Sequence, residues 1–435
     1  MENAMAHVVF IDSTPTGLNA FRTARRLGHQ VTFIRPTLAS SFVSIMSKDP
    51  AKLESQLRDV DRYIEVDTLE ESDLFPVLEQ LARELPIDTI ISSAETGIMP
   101  AARAAERWQT RYPSPQQLGN AVFKNRLRET LLRHGIRSPR FEVLSEEALF
   151  AGPKTIAFPF VVKPVRGFAK QYSAICYSAD DFTAYLSQLK ADRAANSLID
   201  SVVAHEYIIE EYVTGTLHSA ETIVRDGKVM LYATTTRYRA HYYDLLELAA
   251  VMPSGLPAND RAAIQDYLQA VFSALGIEIG LYHVELLMTN EGPVLVEINA
   301  RMMGSVSPIM YQIQTGQDAF EHLIRLHLGD AVTVDDEGFT NAGITLAVGS
   351  RHGGHISADF QPEKLAALLA DYGIPHNTLS IEANKFVGRY GGNFSIMGHV
   401  IILAETPEAV AEKGHRFLCD MDKLIGMETA KYFAD

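Results

Sequence analysis

Apolar and polar positions alternate in short blocks over the first hundred residues. Residues 7–12 (HVVFID) read as a buried strand, a turn follows around Pro15 and Gly17, and 18–27 carry an amphipathic helix that Gly28 stops. Further strands are predicted at 30–34 (QVTFI), 63–66 and 88–92. Such strand–helix alternation predicts a parallel sheet covered by helices, with ligands beyond the carboxyl ends of its strands. The turns at 14–17 and 93–95 stand at those ends. Each reads equally well as a plain chain reversal, since neither carries a full dinucleotide fingerprint.

After a Pro-rich break at 112–116 (YPSPQ) the pattern changes. A helix is predicted over 121–134, then strands at 141–144, 160–164 and 207–213. Longer strands follow at 222–224, 229–235, 282–288 and 294–299, the last two joined by a turn at 290–292. The final hundred residues give strands at 340–348, 385–390 and 399–404 and a helix over 407–421, read as a mixed appendix on the centre.

A chain of 435 residues is too long for one core and fits two or three domains. Its formal net charge of −15 argues against nucleic acid or anionic membrane as general partners, while leaving small anions open. Cys176 and Cys419 have neither metal-ligand spacing nor a disulfide framework, which suits a reducing cytoplasm. The apolar run at 8–11 is too short for a signal peptide, and nothing approaches the roughly 20 apolar residues that span a bilayer. A soluble, cytoplasmic protein is expected.

The densest chemistry lies on the two strands around the 290–292 turn. Glu285 and Glu297 are placed symmetrically about it, so hairpin pairing predicts adjacent carboxylates, and Asn299 shares the face of Glu297. Two carboxylates and an amide oxygen are hard ligands of the kind Mg²⁺ takes. Arg301, further along, is suited to an oxyanion or phosphate. The bland alternative, a solvated polar sheet face, would leave the two carboxylates repelling each other. Lys163 ends an apolar strand, a costly position unless an anion meets it, and Lys124 opens a helix. The small-residue turn after Lys163 carries Arg166, Lys170 and Ser173 and is suited to covering phosphates, or equally to solvent. Glu210, Glu211, Tyr212 and Val213 end a strand whose backbone edge offers hydrogen bonds to a flat heterocycle.

In this order, Lys124, Lys163, the covering loop, Glu210-Glu211-Tyr212-Val213, Glu285 and Glu297-Ile298-Asn299-Ala300-Arg301 resemble the ATP-grasp pattern over nearly the whole chain. The resemblance implies an α/β and α+β fold with four parts. These are an N-terminal parallel α/β domain (1–115), a linker helix (116–150), a small lid (151–213) and a catalytic subdomain with the C-terminal appendix (214–435). It implies ATP and two magnesium ions, with Mn²⁺ a substitute. Lys124, Lys163, Arg166, Lys170 and Ser173 would meet the nucleotide, and residues 210–213 would hold adenine. Glu285, Glu297 and Asn299 would hold metal, and Arg301 with the backbone of Gly304 and Ser305 would hold the oxyanion. Relatives often place an acid just after the hinge glycine, whereas Thr216, Leu217 and His218 follow Gly215 here, so Glu221 is the substitute for ribose.

Within that superfamily the chain is similar to L-amino-acid ligases, which join amino acids into dipeptides and related antibiotics. Glu247 precedes Met252-Pro253 as in that group, with Ala250 where relatives often carry His, which implies a larger or differently charged acyl substrate. Glu247 is expected to meet a substrate ammonium, and Arg237, Tyr238, His241, Tyr243 and Glu95 to line the substrate pocket. The expected reaction is ADP-forming amide synthesis through an acyl phosphate, of the dapdiamide type, in a homodimer acting on small molecules. The rival expectations are a purine- or carboxylase-type ligase and a catalytically silent nucleotide-binding module.

Overall fold

The structure, a computed structural model, describes residues 5–37, 55, 57–167, 170–195, 200, 203–335, 338–392 and 395–434. Phe168 and Ala169 of the expected phosphate-covering loop lie outside them. Strands β1 (His7–Ile11), β2 (Gln30–Pro36), β3 (Arg62–Val66) and β4 (Thr89–Ile91) form a parallel sheet in the order β3-β2-β1-β4. Every residue of β1 is buried, as its unbroken apolar run requires of a central parallel strand.

The second sheet holds β5 (Phe141–Ser145), β6 (Phe160–Pro164), β7 (Ala174–Cys176) and β8 (Glu206–Glu211), all antiparallel, in the order β5-β8-β6-β7. Helix Ala179–Ala195 packs on it, and Leu144, Phe160, Phe182, Leu189 and Tyr207 make a core of its own. This unit is the one expected as the lid, and it takes that name. It begins at β5, ahead of the expected boundary at 151, because β5 pairs with β8 along its whole length. The helix expected over 121–134 is two helices, Pro115–Val122 and Lys124–Arg133, which meet at Phe123 in extended geometry.

The third sheet has eight strands. It contains β9 (Thr216–Arg225), β10 (Lys228–Ala240), β11 (Tyr243–Met252), β12 (Ile279–Thr289), β13 (Gly292–Asn299) and β14 (Ala342–Val348). A two-stranded flap of β15 (Gly354–His355) and β17 (Phe386–Val387) stands apart, and β16 (His376–Asn377) and β18 (Gly398–Ala404) complete the large sheet. Its order is β13-β12-β9-β10-β11-β14-β18-β16. The expected C-terminal appendix is therefore part of this sheet, joined through the β11–β14 pairing. The expected strand at 385–390 shrinks to the two residues of β17, since Gly388, Gly391 and Gly392 follow with no partner strand.

One face of β9, β12 and β13 is apolar and covered by helix Ala258–Leu275, through Ile264, Leu268 and Phe272. The opposite face carries Ser219, Glu221, His283, Glu285, Glu297 and Asn299 and looks toward the lid. The two-residue period of the strands thus sorts core from chemistry.

Candidate active site

A cavity of about 1680 Å³ is lined by the four-stranded antiparallel sheet, the eight-stranded sheet, the two-stranded flap and the loops at the strand ends of the N-terminal domain. Strands β12 and β13 place Glu285 directly opposite Glu297 in the ladder. The next pair is Leu286 with Leu295, so Val296 is an extra residue, a β-bulge beside the carboxylates. Across the bulge strict alternation is lost: Leu295 and Ile298 enter the core, and Val296 lines the cavity.

Around this pair the contacts are long. Lys124 Nζ stands 3.5 Å from Glu297 Oε2, Arg237 Nη2 3.9 Å from Glu285 Oε1, and His283 Nε2 3.4 Å from the same oxygen. The Asn299 amide donates to Glu297 at 3.3 Å, and Arg301 donates to Asn299 Oδ1 at 3.3 Å. Burial pushes the Glu297 carboxyl up, but Lys124, Lys163 and Lys170 outweigh it and hold it at about 2. Arg301 also lies 3.6 Å from Glu95, whose carboxyl burial raises above its usual range against the pull of Arg301.

The lid contributes a tighter cluster. Glu210 accepts from Lys163 Nζ and from Arg128 Nε, both at 2.7 Å, with all three side chains nearly sealed from solvent. Burial would raise Glu210; the two cations overcome it and hold the carboxyl at about 2. Glu211 is engaged by Arg140 Nε at 2.7 Å, and the Glu211 and Tyr212 N–H groups donate to Arg140 O and Pro159 O.

Several expected site residues take other roles. Glu221 is fully buried at the cavity wall, with His283 Nδ1 at 2.8 Å and Ser219 Oγ donating at 3.0 Å. Its second oxygen has no hydrogen-bond partner among the described residues. Burial lowers His283, yet Glu221 and Glu285 prevail and raise the imidazole to about 9. Arg166 lies over the Phe123 ring at 5.6 Å and is not among the cavity residues. Tyr238 faces away from the cavity, packing on Tyr432 and Phe433, because Arg237 and Arg239 take the inward positions of β10. His241 likewise donates its N–H to Lys431 O outside the cavity. Lys170, expected over phosphates, pairs with Glu247 and donates to Leu245 O at 3.0 Å, while Arg237 takes the other Glu247 oxygen. Gly304, Ser305, Ser173, Tyr243 and Val213 all line the cavity. Ser305 holds a left-handed φ of 57°, and its carbonyl accepts from Thr16 Oγ1 at 2.6 Å, tying the N-terminal domain to the site.

Sequence reasoning missed Arg128, His283 and the C-terminal wall of the cavity. The four-residue step from Lys124 to Arg128 and the two-residue step from His283 to Glu285 were the available signals. The wall, with His376, Lys385, Arg389 and Tyr390, had only the glycine-rich run at 388–392 to announce it.

This layered arrangement matches known proteins. The model of the ATP-grasp domain matches residues 156–308, and that of the ATP-grasp N-terminal domain matches 21–108. The chain belongs to the ATP-grasp superfamily. Among solved structures it is similar to the L-amino acid ligase from Bacillus licheniformis, with a TM-score of 0.76 and 18% identity over 99% of this chain and 100% of that one. It is 26% identical to D-alanine–D-alanine ligase of Anaplasma marginale, over 46% of this chain and 59% of that protein. To alanine–anticapsin ligase of Bacillus subtilis it is 24% identical, over 54% of this chain and 52% of the relative. The chain spans less than two thirds of the length of the curated relatives it matches. Among the described residues no helix is long and apolar enough to cross a membrane.

Proposed function

We propose that this ATP-grasp chain is an ADP-forming ligase that activates a carboxylate with ATP and joins it to an amine. The observation that carries the reading is the opposition of Glu285 and Glu297 inside a cavity that also holds Lys124, Lys163, Lys170 and Arg301. Among the described residues no three His, Cys, Asp or Glu side chains form a metal cage. The donor set is two carboxylates and one amide oxygen, which fits magnesium completed by phosphate oxygens and water. Two opposed carboxylates with only long cation contacts also favour an added cation. Bound magnesium would neutralise phosphate charge during transfer.

The remaining roles belong to the chain. Lys124 and Lys163 face the phosphates. The Glu211 and Tyr212 N–H groups are committed, which leaves the Val213 N–H for adenine among the described hinge residues. Arg301 and the 304–305 backbone hold the oxyanion formed when the amine attacks. Lid closure excludes water that would hydrolyse an acyl phosphate. Glu95 gives the cavity an acidic group for a substrate ammonium, and the names of the L-amino acid and alanine–anticapsin ligases favour amino acids on both sides of the bond. Within that class we favour an acylated diaminopropionate, of the dapdiamide type, joined to Val, Ile or Leu in antibiotic synthesis.

The test is a screen of amino-acid pairs with ATP and magnesium, read by phosphate release and mass spectrometry. A condensed amide formed with ADP and phosphate supports the reading; AMP and pyrophosphate, or ATP binding without turnover on any pair, counts against it.

A further inference from the structure

Arg128 is among the largest side chains sealed inside the protein, at 1% exposure. It sits one turn after Lys124 on helix Lys124–Arg133, so the two cations share a face. Lys124 reaches Glu297, whereas Arg128 spans two sheets. Its Nε donates to Glu210 on β8 of the lid at 2.7 Å, and its Nη2 donates to Val296 O on β13 at 2.8 Å. Val296 is the bulge residue next to Glu297, and the bulge turns its carbonyl out of the ladder to this guanidinium. The other oxygen of Glu210 holds Lys163 Nζ. Arg128 Nη1 is buried with no hydrogen-bond partner among the described residues, at the edge of the cavity.

We infer that Arg128 is a positioning residue for nucleotide binding, acting through Glu210 on Lys163 and registering the lid against the metal-bearing hairpin. The assignment rests on the nucleotide reading of the cavity. Its physical basis is charge. Arg128, Glu210 and Lys163 together carry one net positive charge, which Lys163 presents to phosphates. Without Arg128 the remaining Lys163–Glu210 pair is neutral, and the lysine is drawn wholly to the carboxylate. A buried pair left in that state is costly to open for a new anion. Lysine at position 128 restores the charge but supplies a single point in place of the fork that reaches both Glu210 and Val296 O.

Isothermal titration with Mg·AMP-PNP tests this on the full chain, with circular dichroism and thermal melting to follow folding. Arg128→Met should weaken binding by about tenfold or more. Arg128→Lys should recover part of that loss. In Arg128→Met/Glu210→Gln, Lys163 again carries one unopposed charge, so the double variant should bind better than Arg128→Met alone. That reversal does not follow from a purely structural role, where the second lesion adds to the first. If Arg128→Met failed to fold, Arg128→Lys and Glu210→Gln would carry the test through their opposite effects on Kd, weaker in the first and tighter in the second. Binding by Arg128→Met within twofold of wild type, or a double variant no better than the single, would overturn the assignment. A wild-type chain that bound no AMP-PNP would remove the nucleotide reading and this inference with it.

Discussion

Two groups of carboxylates in this molecule meet their cations at different distances. Glu210 is sealed and meets two cations at 2.7 Å, one on each oxygen. Glu285 and Glu297 face each other across a hairpin, and their nearest cationic groups stand at 3.4 to 3.9 Å. The first is closed on its two cations and leaves the cluster one net positive charge. The second is held ionised by cations that stand farther off and stays open to the cavity, as a site built for an arriving cation would be. Distance and burial together therefore separate a closed ion cluster from an open one within one site.

Altering the open pair should affect chemistry most. Glu297→Gln is expected to reduce turnover by about two orders of magnitude or more, because it removes a proposed magnesium ligand. Its thermal melting should fall less than that of Glu210→Gln, since the lysines that hold Glu297 ionised stand farther off. A large drop in melting temperature would merge the two classes and break the comparison. Next comes Arg301→Ala, expected to spare AMP-PNP binding while lowering kcat by about a hundredfold, the size of losing one oxyanion donor. Equal losses in nucleotide affinity and kcat would assign Arg301 to ATP instead.

The sealed group should show the reverse signature. Glu210→Gln leaves Arg128 and Lys163 buried together and is expected to cost about 3 kcal/mol of stability in denaturant unfolding. The smallest effect is on pH. Folding holds the Glu210 carboxyl at about 2, against 4.5 as its ordinary value. The stability it contributes is present above 4.5 and is lost as pH falls through that window toward 2. Acid unfolding of Glu210→Gln should therefore be less steep there; an unchanged acid limb would mean that other carboxylates govern it.

How far the sequence discloses this depends on how local the signal is. The facing of Glu285 and Glu297 was legible because a short turn fixes hairpin register and both lie equally far from it. The β1–β4 sheet was legible from its apolar runs. The Val296 bulge was not, since one extra residue leaves no mark in an alternating apolar strand. Strand β11 was missed because its sequence, YDLLELAAVM, is apolar in blocks and reads as helix or strand alike. Arg128 and Glu210 lie 82 residues apart, so their pairing is a product of tertiary packing. The same holds for the C-terminal wall, which joins the sheet only through β11 and β14.

The central claim is that a carboxylate is activated as an acyl phosphate before the amine attacks. Oxygen transfer tests it most directly. With a productive substrate pair and the carboxylate enriched in ¹⁸O, γ-phosphoryl transfer followed by amine attack breaks the bond between the acyl carbon and the labelled oxygen. One ¹⁸O should then appear in the released phosphate, with ADP unlabelled. Label in AMP, or phosphate carrying none, would contradict the account.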